Sequence, residues 1–587
     1  MTGNYYLGVD VGTGSARVCV IDDSGEIKGL AVRDITTWGN KADYYEQSTE
    51  DIWNAICHCT KEVVKQAGID PAQVKGVGFD ATCSLAVLAE DTDKPISVCG
   101  PDFTDNKRNV ILWMDHRPVS QTERINATKH KLLQYVGGSM SIEMEIPKVL
   151  WLKENMPSAL FQRCKFYDLT DVLTHIATGK ETRSYCSAVC KQGFVPVGID
   201  GSVKGWQEDF LQEIGLPELC ENNFRRMGGV HGENGTILSA GQLVGTLCEQ
   251  SAVQLGLVPG IKIGSGVIDA YAGWIGTVGA RVNLEGFDDE VINKDFEKND
   301  LEQVFCRLAV VAGTSTCHLV MSREPKFVPG VWGPYRDVLL EDFWMAEGGQ
   351  SATGSLLHHV LTTHTSYTKA LDAAKAQKLN IFGYLNNRLE DLRKESKVPS
   401  ISYLSRHFFL VGDYHGNRSP IADPRMRGSA VGLSMDSSVD GLTLMYYAAL
   451  EFIALQTRHI IETLNTNGHT ITSIYMSGGQ CRNTILMNLI ANATGHLVVV
   501  PRYIDAAVVL GAAMLGAKAA SADEQSGETE GLWTIMDRMS KPGTVVVPTK
   551  DENEKKLLAV KYKIFLRMSK EQQEYRAMVD EAMGEWK

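Results

Sequence analysis

The run Tyr5–Arg17, Tyr-Tyr-Leu-Gly-Val-Asp-Val-Gly-Thr-Gly-Ser-Ala-Arg, constrains the fold more than any other stretch of the chain. Aromatic and β-branched residues from Tyr5 to Val9 predict a buried strand and Val18–Ile21 a second, with Asp10 and a glycine-bearing turn between them. Lacking Cβ atoms, Gly12 and Gly14 let backbone N–H groups converge on an anion, while Thr13 and Ser15 add hydroxyls and Arg17 a positive charge. Asp10, at the mouth of the strand, would repel a phosphate unless a divalent cation stood between them, and Mg²⁺ reaches carboxylates through the waters it retains. The turn therefore suggests a magnesium nucleotide. A Gly-x-Gly turn also closes ordinary hairpins, and the stretch by itself leaves both readings open. A dinucleotide-binding loop needs a helix where a strand is expected here, and no Gly-x4-Gly-Lys-Ser/Thr occurs, which excludes a Walker-type loop.

A similar frame returns further along. Leu308–Ala312 reads as a strand, Gly313-Thr314-Ser315-Thr316 as a turn and Cys317–Met321 as a strand. The second copy keeps the Gly-Thr core and the flanking apolar runs but has no counterpart of Asp10. Chance explains one such turn more easily than two, so the chain is expected to be a duplicated architecture with one ligand gripped between the turns.

Between these frames, apolar segments repeatedly end in polar residues. Ser48, with Asp51 three residues on, is the expected N-cap of a helix carrying Ile52, Trp53, Ile56, Val63 and Val64. Val74–Phe79 ends in Asp80-Ala81-Thr82-Cys83-Ser84, Ile111–Met114 delivers Asp115, His116 and Arg117, and Glu145-Ile146-Pro147-Lys148 opens a helix. Taken singly, each such charge fits a solvated face as readily as a ligand contact. Val267–Ile268 leads to Asp269, where small residues leave room beside the carboxylate, although a helix N-cap would stand in the same place. Glu347-Gly348-Gly349-Gln350 turns into a helix bearing His358 and His359, which as neighbours face different directions and make no metal pair. Ile474–Ser477 enters Gly478-Gly479-Gln480, a corner where adenine or ribose could lie against the backbone, or where a helix simply packs closely. The loop 412–428 reads as a connection, the region 183–245 carries no assignable chemistry, and the tail after 530 reads as an amphipathic helix.

At 587 residues, 44% hydrophobic and 22% charged, the chain is too long for one core and is expected to hold two large domains. A net charge of −13 argues against a nucleic-acid partner. The thirteen cysteines show no zinc spacing or dense framework and are expected to be buried or free thiols in a reducing compartment. No secretory leader precedes the first strand, and the longest apolar stretch, Leu442–Leu455, is too short to span a bilayer. A cytoplasmic protein with no membrane association is the expectation.

Together, five ordered motifs resemble the FGGY family of carbohydrate kinases over about residues 5–520: Asp10-x-Gly12-Thr13-Gly14-Ser15-x-Arg17, Trp113-x-Asp115-x-Arg117, Asp269, Gly313-Thr314-Ser315 and Gly478-Gly479-Gln480. Phe79–Ser84, Ile146–Lys148, Ala312–His318 and Glu347–Ala352 resemble its ribulokinase branch, and Gly330–Tyr335 with the Asn417-Arg418 loop resemble the eukaryotic D-ribulokinases within it. The family's Lys-x2-Trp signature stands at Lys148–Trp151, with Glu145 where a small residue or proline is usual. The resemblance implies an α/β, two-domain actin/sugar-kinase ATPase fold, with duplicated ribonuclease H-like domains around a central cleft. It implies an N-terminal domain over 1–280, an acidic insert at 281–303, a C-terminal domain over 304–520 and a helical extension over 521–587. It further implies ATP, Mg²⁺ and a ketopentose as ligands. On that reading Asp269 is the catalytic base, and Asp10 holds Mg²⁺ through water. Gly12, Thr13, Gly14, Ser15, Arg17, Gly313, Thr314 and Ser315 serve the phosphates, and Gly478, Gly479 and Asn483 border adenosine. Asp80, Ala81, Asp115, Arg117, Lys148, Asp269 and Glu347 meet the sugar. Oligomeric state, including a homodimer, is left open.

Overall fold

The computed structural model describes residues 3–282 and 300–584, so most of the expected acidic insert lies outside them. The chain opens as a meander of β1 (Tyr5–Val11), β2 (Ser15–Asp22) and β3 (Ile27–Asp34), followed by α1 (Thr49–Ala67). Ser48 caps α1 as its sequence predicts, its hydroxyl accepting from the Asp51 N–H at 3.3 Å. The helix returns the chain so that β4 (Val74–Ala81) lies parallel to β1. A long insertion follows, carrying α2 (Glu145–Asn155) and α3 (Tyr185–Lys191). Strands β5 (Leu243–Thr246), β6 (Lys262–Gly264) and β7 (Val267–Ile268) then complete a sheet in the order β5-β6-β4-β1-β2-β3, with β7 beside the end of β4. Helix α4 (Asp269–Val278) leaves it. Asp269 is the first helical residue rather than the cap, which is Ile268; its carboxylate accepts the Ala270 N–H at 2.7 Å.

The second half repeats this plan. Its strands are β8 (Arg307–Ala312), β9 (Thr316–Ser322), β10 (Trp332–Arg336), β11 (Trp344–Gln350), β12 (Ser473–Ser477), β13 (Leu497–Val500) and β14 (Thr544–Val546). Their order is β10-β11-β9-β8-β12-β13-β14. Reading β14-β13-β12-β8-β9-β11 against β5-β6-β4-β1-β2-β3, every neighbour has the same direction, antiparallel, parallel, parallel, antiparallel, antiparallel. Even the turns agree: the Gly12 N–H donates to the Ser15 carbonyl at 3.0 Å and the Gly313 N–H to the Ser315 carbonyl at 2.9 Å. The duplication expected from the two Gly-Thr frames is therefore present strand by strand. The helices of this half are α5 (Val439–Thr466), which buries the apolar stretch 442–455, α6 (Thr484–Thr494), α7 (Ala507–Ala520) and the terminal α8 (Glu552–Met583). Among the described residues no helix is long and apolar enough to cross a membrane.

The two halves exchange helices. From the first half, α4 lies on β8 of the second, while α7 of the second lies on β1 and β4 of the first. The two helices cross at Gly276 and Gly511. A Cβ on Gly276 would sit 1.9 Å from the Ala507 carbonyl oxygen, and one on Gly511 would sit 2.0 Å from that of Ala272. Backbone touches backbone here, so no larger residue fits without separating the helices. The side chains around the crossing form one continuous core drawn from both halves, including Tyr271, Trp274, Leu510 and Met514. Gly511→Val is expected to cost about 3 kcal/mol or more, the upper end for overpacking, because the obstructing atoms are main chain. Gly531→Ala, whose Cβ would meet only the Thr534 hydroxyl at 3.6 Å, should cost no more than about 1 kcal/mol, the preference for glycine over alanine at the helix N-cap it forms. Urea unfolding of both variants checks the contrast.

Candidate active site

Three carboxylates meet at the C-terminal ends of three adjacent parallel strands, the edge where open α/β sheets bind ligands. Asp10 on β1 is paired in register with Asp80 on β4. Val267 and Ile268 of β7 lie opposite Asp80 and Ala81, which brings Asp269 alongside. Strand pairing thus gathers residues from three distant parts of the sequence, and the antiparallel partner of Asp10 is Arg17, its guanidinium 3.7 Å away.

Burial dominates their electrostatics. It raises the Asp10 carboxyl despite the attraction of Arg17. Asp80 is lifted well above the carboxylate range, first by burial and then by the charges of Asp10 and Asp269. Neither oxygen of Asp80 meets a donor in the structure, and a protonated Asp80 can donate toward Asp10. Asp269, half-buried at the cavity wall, is pushed up to about 7 by burial and by the charge of Asp10.

Asp269 faces a cleft cavity of about 290 Å³ bounded by both glycine turns, with Gly12, Thr13 and Arg17 on one wall and Gly313, Thr314 and Ser315 on the other. Gly14 and Ser15 are turned away from it; the Gly14 carbonyl accepts the Ile35 N–H at 3.1 Å. Thr13 is fixed from behind, its carbonyl accepting from the Gln47 amide at 2.7 Å and its hydroxyl oxygen from the Trp113 indole at 3.1 Å. With the indole as donor, the hydroxyl proton of Thr13 is free to point into the cavity.

The far end of the same cavity is polar. Glu347 is gripped by Lys191 at 3.3 Å and Arg418 at 2.5 Å, and it accepts the Tyr271 hydroxyl at 3.2 Å. Burial pushes the Glu347 carboxyl up, but the two cations hold it below its ordinary range. The indole of Trp332, paired with Glu347 across β10 and β11, lies under both cations, 4.5 Å from Lys191 and 3.9 Å from Arg418.

On the other side of the Gly313–Thr314 turn a second cavity of about 710 Å³ opens. It shares Ala312, Gly313, Thr314 and Gly479 with the first, so the two form one continuous trough. Gly478 has φ +92°, and a Cβ there would fall 2.3 Å from the Ala312 carbonyl oxygen; Gly479 has open space in front of it. Asn483 lines this cavity, caps α6 through the Leu486 N–H at 3.3 Å and donates to the Tyr446 hydroxyl at 2.6 Å. Gln480 ties the corner to the turn, donating to the Gly313 carbonyl and to the Thr353 hydroxyl at 2.7 Å each.

Residues 5–276 match the N-terminal domain of the FGGY family of carbohydrate kinases, and residues 308–520 match its C-terminal domain. The chain belongs to that family. This carbohydrate kinase is 54% identical over 515 residues to a D-ribulokinase of Saccharomyces cerevisiae, covering 88% of this chain and 72% of the yeast protein. It is 40% identical to the FGGY carbohydrate kinase domain-containing protein of Homo sapiens, over 98% of each. Solved structures share its two-domain actin/sugar-kinase fold. A xylulose kinase from Brucella ovis superposes with TM-score 0.72 at 18% identity, over 97% of this chain and 100% of that one. Glycerol kinase of Plasmodium falciparum with ADP gives 0.71 at 14%, over 97% and 98%.

Several residues of the FGGY kinase that sequence reasoning places on the sugar stand behind the wall instead. Asp115 accepts the Tyr45 N–H at 2.7 Å and a bidentate pair from Arg117 at 2.7 and 2.8 Å. Arg117 also binds Glu46 at 2.9 Å and the Val98 carbonyl at 3.0 Å, between the rings of Tyr44 and Trp151. Lys148 spends all three ammonium protons on the carbonyls of Leu112, Trp113 and Glu143, at 2.7, 3.2 and 3.1 Å, and burial lowers its pKa. In this conformation none of the three offers a free group to a ligand, and Asp80 and Ala81 are likewise fully covered. What they hold in place is the segment 112–117, which carries Trp113 to Thr13. Conversely Trp113, Glu143, Lys191, Trp332 and Arg418 line the cavity, although none was expected there. Trp332 and Arg418 stood in segments that already resembled ribulokinases; Lys191 and Glu143 carried no signal beyond being charged.

Lys148→Met orphans the buried Leu112 carbonyl at about 1–3 kcal/mol and two part-buried carbonyls at less, so a loss of about 2–4 kcal/mol in thermal unfolding is expected. Trp113→Phe keeps the ring and removes only the donor to Thr13. Stability should hold within about 1 kcal/mol while ATP binding, followed by calorimetry, weakens about three- to tenfold.

Proposed function

We propose that this carbohydrate kinase transfers the γ-phosphoryl group of ATP to the primary hydroxyl of a ketopentose, D-ribulose, giving D-ribulose 5-phosphate. The observation that carries the reading is the position of Asp269, a carboxylate near neutrality on the wall of a polar, sugar-sized cavity that adjoins a nucleoside-sized one across Gly313 and Thr314. The likeness to the yeast D-ribulokinase over 88% of the chain supports the choice of substrate. Twelve cysteines, all but Cys306, stand as free thiols among the described residues, which fits a reducing, cytoplasmic setting.

Adenosine lies along Gly478, Gly479 and Asn483, and its phosphates cross the Gly313–Thr314 turn toward Asp10, Thr13 and Arg17. Backbone N–H groups of the facing turns, with the hydroxyls of Thr13 and Thr314, stabilise charge on the transferring group. Asp10, which lines the cavity with a single arginine 3.7 Å away, is the carboxyl that would face a divalent cation, with the protonated, covered Asp80 behind it. Among the described residues no cluster of three or more acid, histidine or cysteine side chains could chelate an ion unaided, which fits Mg²⁺ held through its waters and the nucleotide. When bound, Mg²⁺ neutralises charge on the phosphate oxygens.

The sugar occupies the end framed by Glu347, Lys191 and Arg418. Glu347 is ionised and accepts hydroxyl protons; the cations supply donors; Trp332 gives an apolar floor for the carbon face. Asp269 takes the proton of the attacking hydroxyl, for which a pKa near working pH is favourable. Segment 112–117, braced by Asp115, Arg117 and Lys148, orients Thr13 rather than the sugar.

In a coupled ADP-release screen over ketopentoses and polyols, D-ribulose should give the highest kcat/KM; a preference for L-ribulose overturns the stereochemical part, and ADP release without any sugar overturns the whole. Asp269→Asn should retain ATP binding and lose roughly a hundredfold or more of turnover. Because the base must be ionised, kcat/KM for the sugar should rise with pH through about 7 and level off above it; a flat profile from pH 5.5 to 8.5 removes Asp269 from that role.

A further inference from the structure

The loop 412–428 brings Arg418 into the pocket, where it meets Glu347, Trp332 and, at 3.9 Å, Glu143 of the first half. Beside Arg418 the loop is held by Ser419, whose hydroxyl donates to the Gly330 carbonyl at 2.8 Å and whose carbonyl accepts from Gln456 at 3.3 Å; a second anchor lies at its other end. Its inner turn is closed by the Asn417 N–H donating to the Asp423 carbonyl at 3.0 Å and the Ile421 N–H donating to the Asn417 side chain at 3.1 Å. Asn417 is in turn held by the Asp413 carboxylate at 3.2 Å. The Asp423 side chain does not face the cleft. It takes a salt bridge from Arg576 and a 3.3 Å hydrogen bond from Gln573, both on α8. One turn along the same helix, Gln572 accepts the Arg427 N–H at 2.7 Å. Helix α8 lies wholly outside the family's C-terminal domain, which ends at residue 520.

We propose that α8 is a strut for the sugar pocket and that Arg576 is a positioning residue, acting through Asp423 and Asn417 to hold Arg418 against Glu347. A lone exposed ion pair would be too weak to do this. Here the side chains of Asp423 and Arg576 are only 14% and 26% exposed. Two glutamines from the same helix add hydrogen bonds to the same loop, so the contact is a network. The path from α8 to the pocket is short: the Arg576 ion pair to the Asp423 side chain, the Asp423 main chain, the hydrogen bond from the Asn417 N–H to the Asp423 carbonyl, and the peptide link to Arg418. Its consequence is selective, because the adenosine trough takes no residue from this loop.

The proposal rests on the sugar-kinase reading above, and its test separates the two. In the full-length protein, Arg576→Ala and Asp423→Asn should increase amide exchange over 413–424 while α5, α6 and the sheets exchange as before. The KM for D-ribulose should rise roughly tenfold with the KM for ATP within about twofold, and Arg576→Lys should restore much of the loss. Combining Arg576→Ala with Arg418→Ala should be no worse than Arg418→Ala alone. Unchanged exchange over 413–424 overturns the strut. So does exchange that rises throughout the second half together with a general loss of thermal stability, or a sugar KM that does not move. If the unmutated enzyme phosphorylates no ketopentose, the substrate reading fails, and the strut still stands or falls on the exchange result, which needs no substrate.

Discussion

The crossing of α4 and α7 at Gly276 and Gly511 is the contact on which the rest depends. Each helix belongs to one half and lies on the sheet of the other, so the two sheets are set face to face through a pair of backbones in contact. That spacing decides how far apart the two glycine turns stand, since both turns sit at the ends of the central hairpins the helices cover. It also places Asp269, the first residue of α4, at the cleft rather than on an outer surface. Cavity terms for a single misplaced methylene in a core are of order 1 kcal/mol. A wedge at this crossing would act on both sheets and both turns together.

Given that frame, the site gets its chemistry from burial more than from any single partner. Three carboxyls share one strand edge with one arginine near them, and the low polarisability of their surroundings lifts all three. At the opposite end of the pocket a fourth carboxyl, equally buried, is driven the other way because two cations close on it. The pocket thus holds an acid near neutrality and an acid that stays ionised within one cavity. A base and a hydroxyl acceptor need that division of labour.

The fold was legible because its strongest signals are local. Strand, glycine turn and strand, repeated at Tyr5–Ile21 and Leu308–Met321, announced the duplication, and both turns border one cavity. Glu347 lines that cavity too, although sequence alone could not show the two cations that oppose it. Errors arose where a charge sits next to a motif but its partner lies far away in sequence. The family resemblance places Asp115 and Arg117 on the sugar, yet here they bond to each other, to the Tyr45 N–H and to Glu46. Lys148 looked like a sugar contact, yet it is enclosed by carbonyls. Lys191 went unnoticed because nothing in the sequence of α3 marks its end as reaching β11.

The pairs that cross the cleft constrain how it can open. Lys191 and Tyr271 from the first half hold Glu347 of the second, and the ring of His116 stacks on that of His415 at 5.5 Å across the mouth. Separating the halves at the sugar end would expose a buried ion pair, and breaking such a pair costs about 3–5 kcal/mol when a partner is left uncompensated. No comparable bridge spans the adenosine trough among the described residues, since that cavity is lined from the second half alone. The halves are thus tied at two places, the backbone contact of Gly276 with Gly511 and the ion pair at Glu347, so a movement that keeps both intact can only turn about the line joining them.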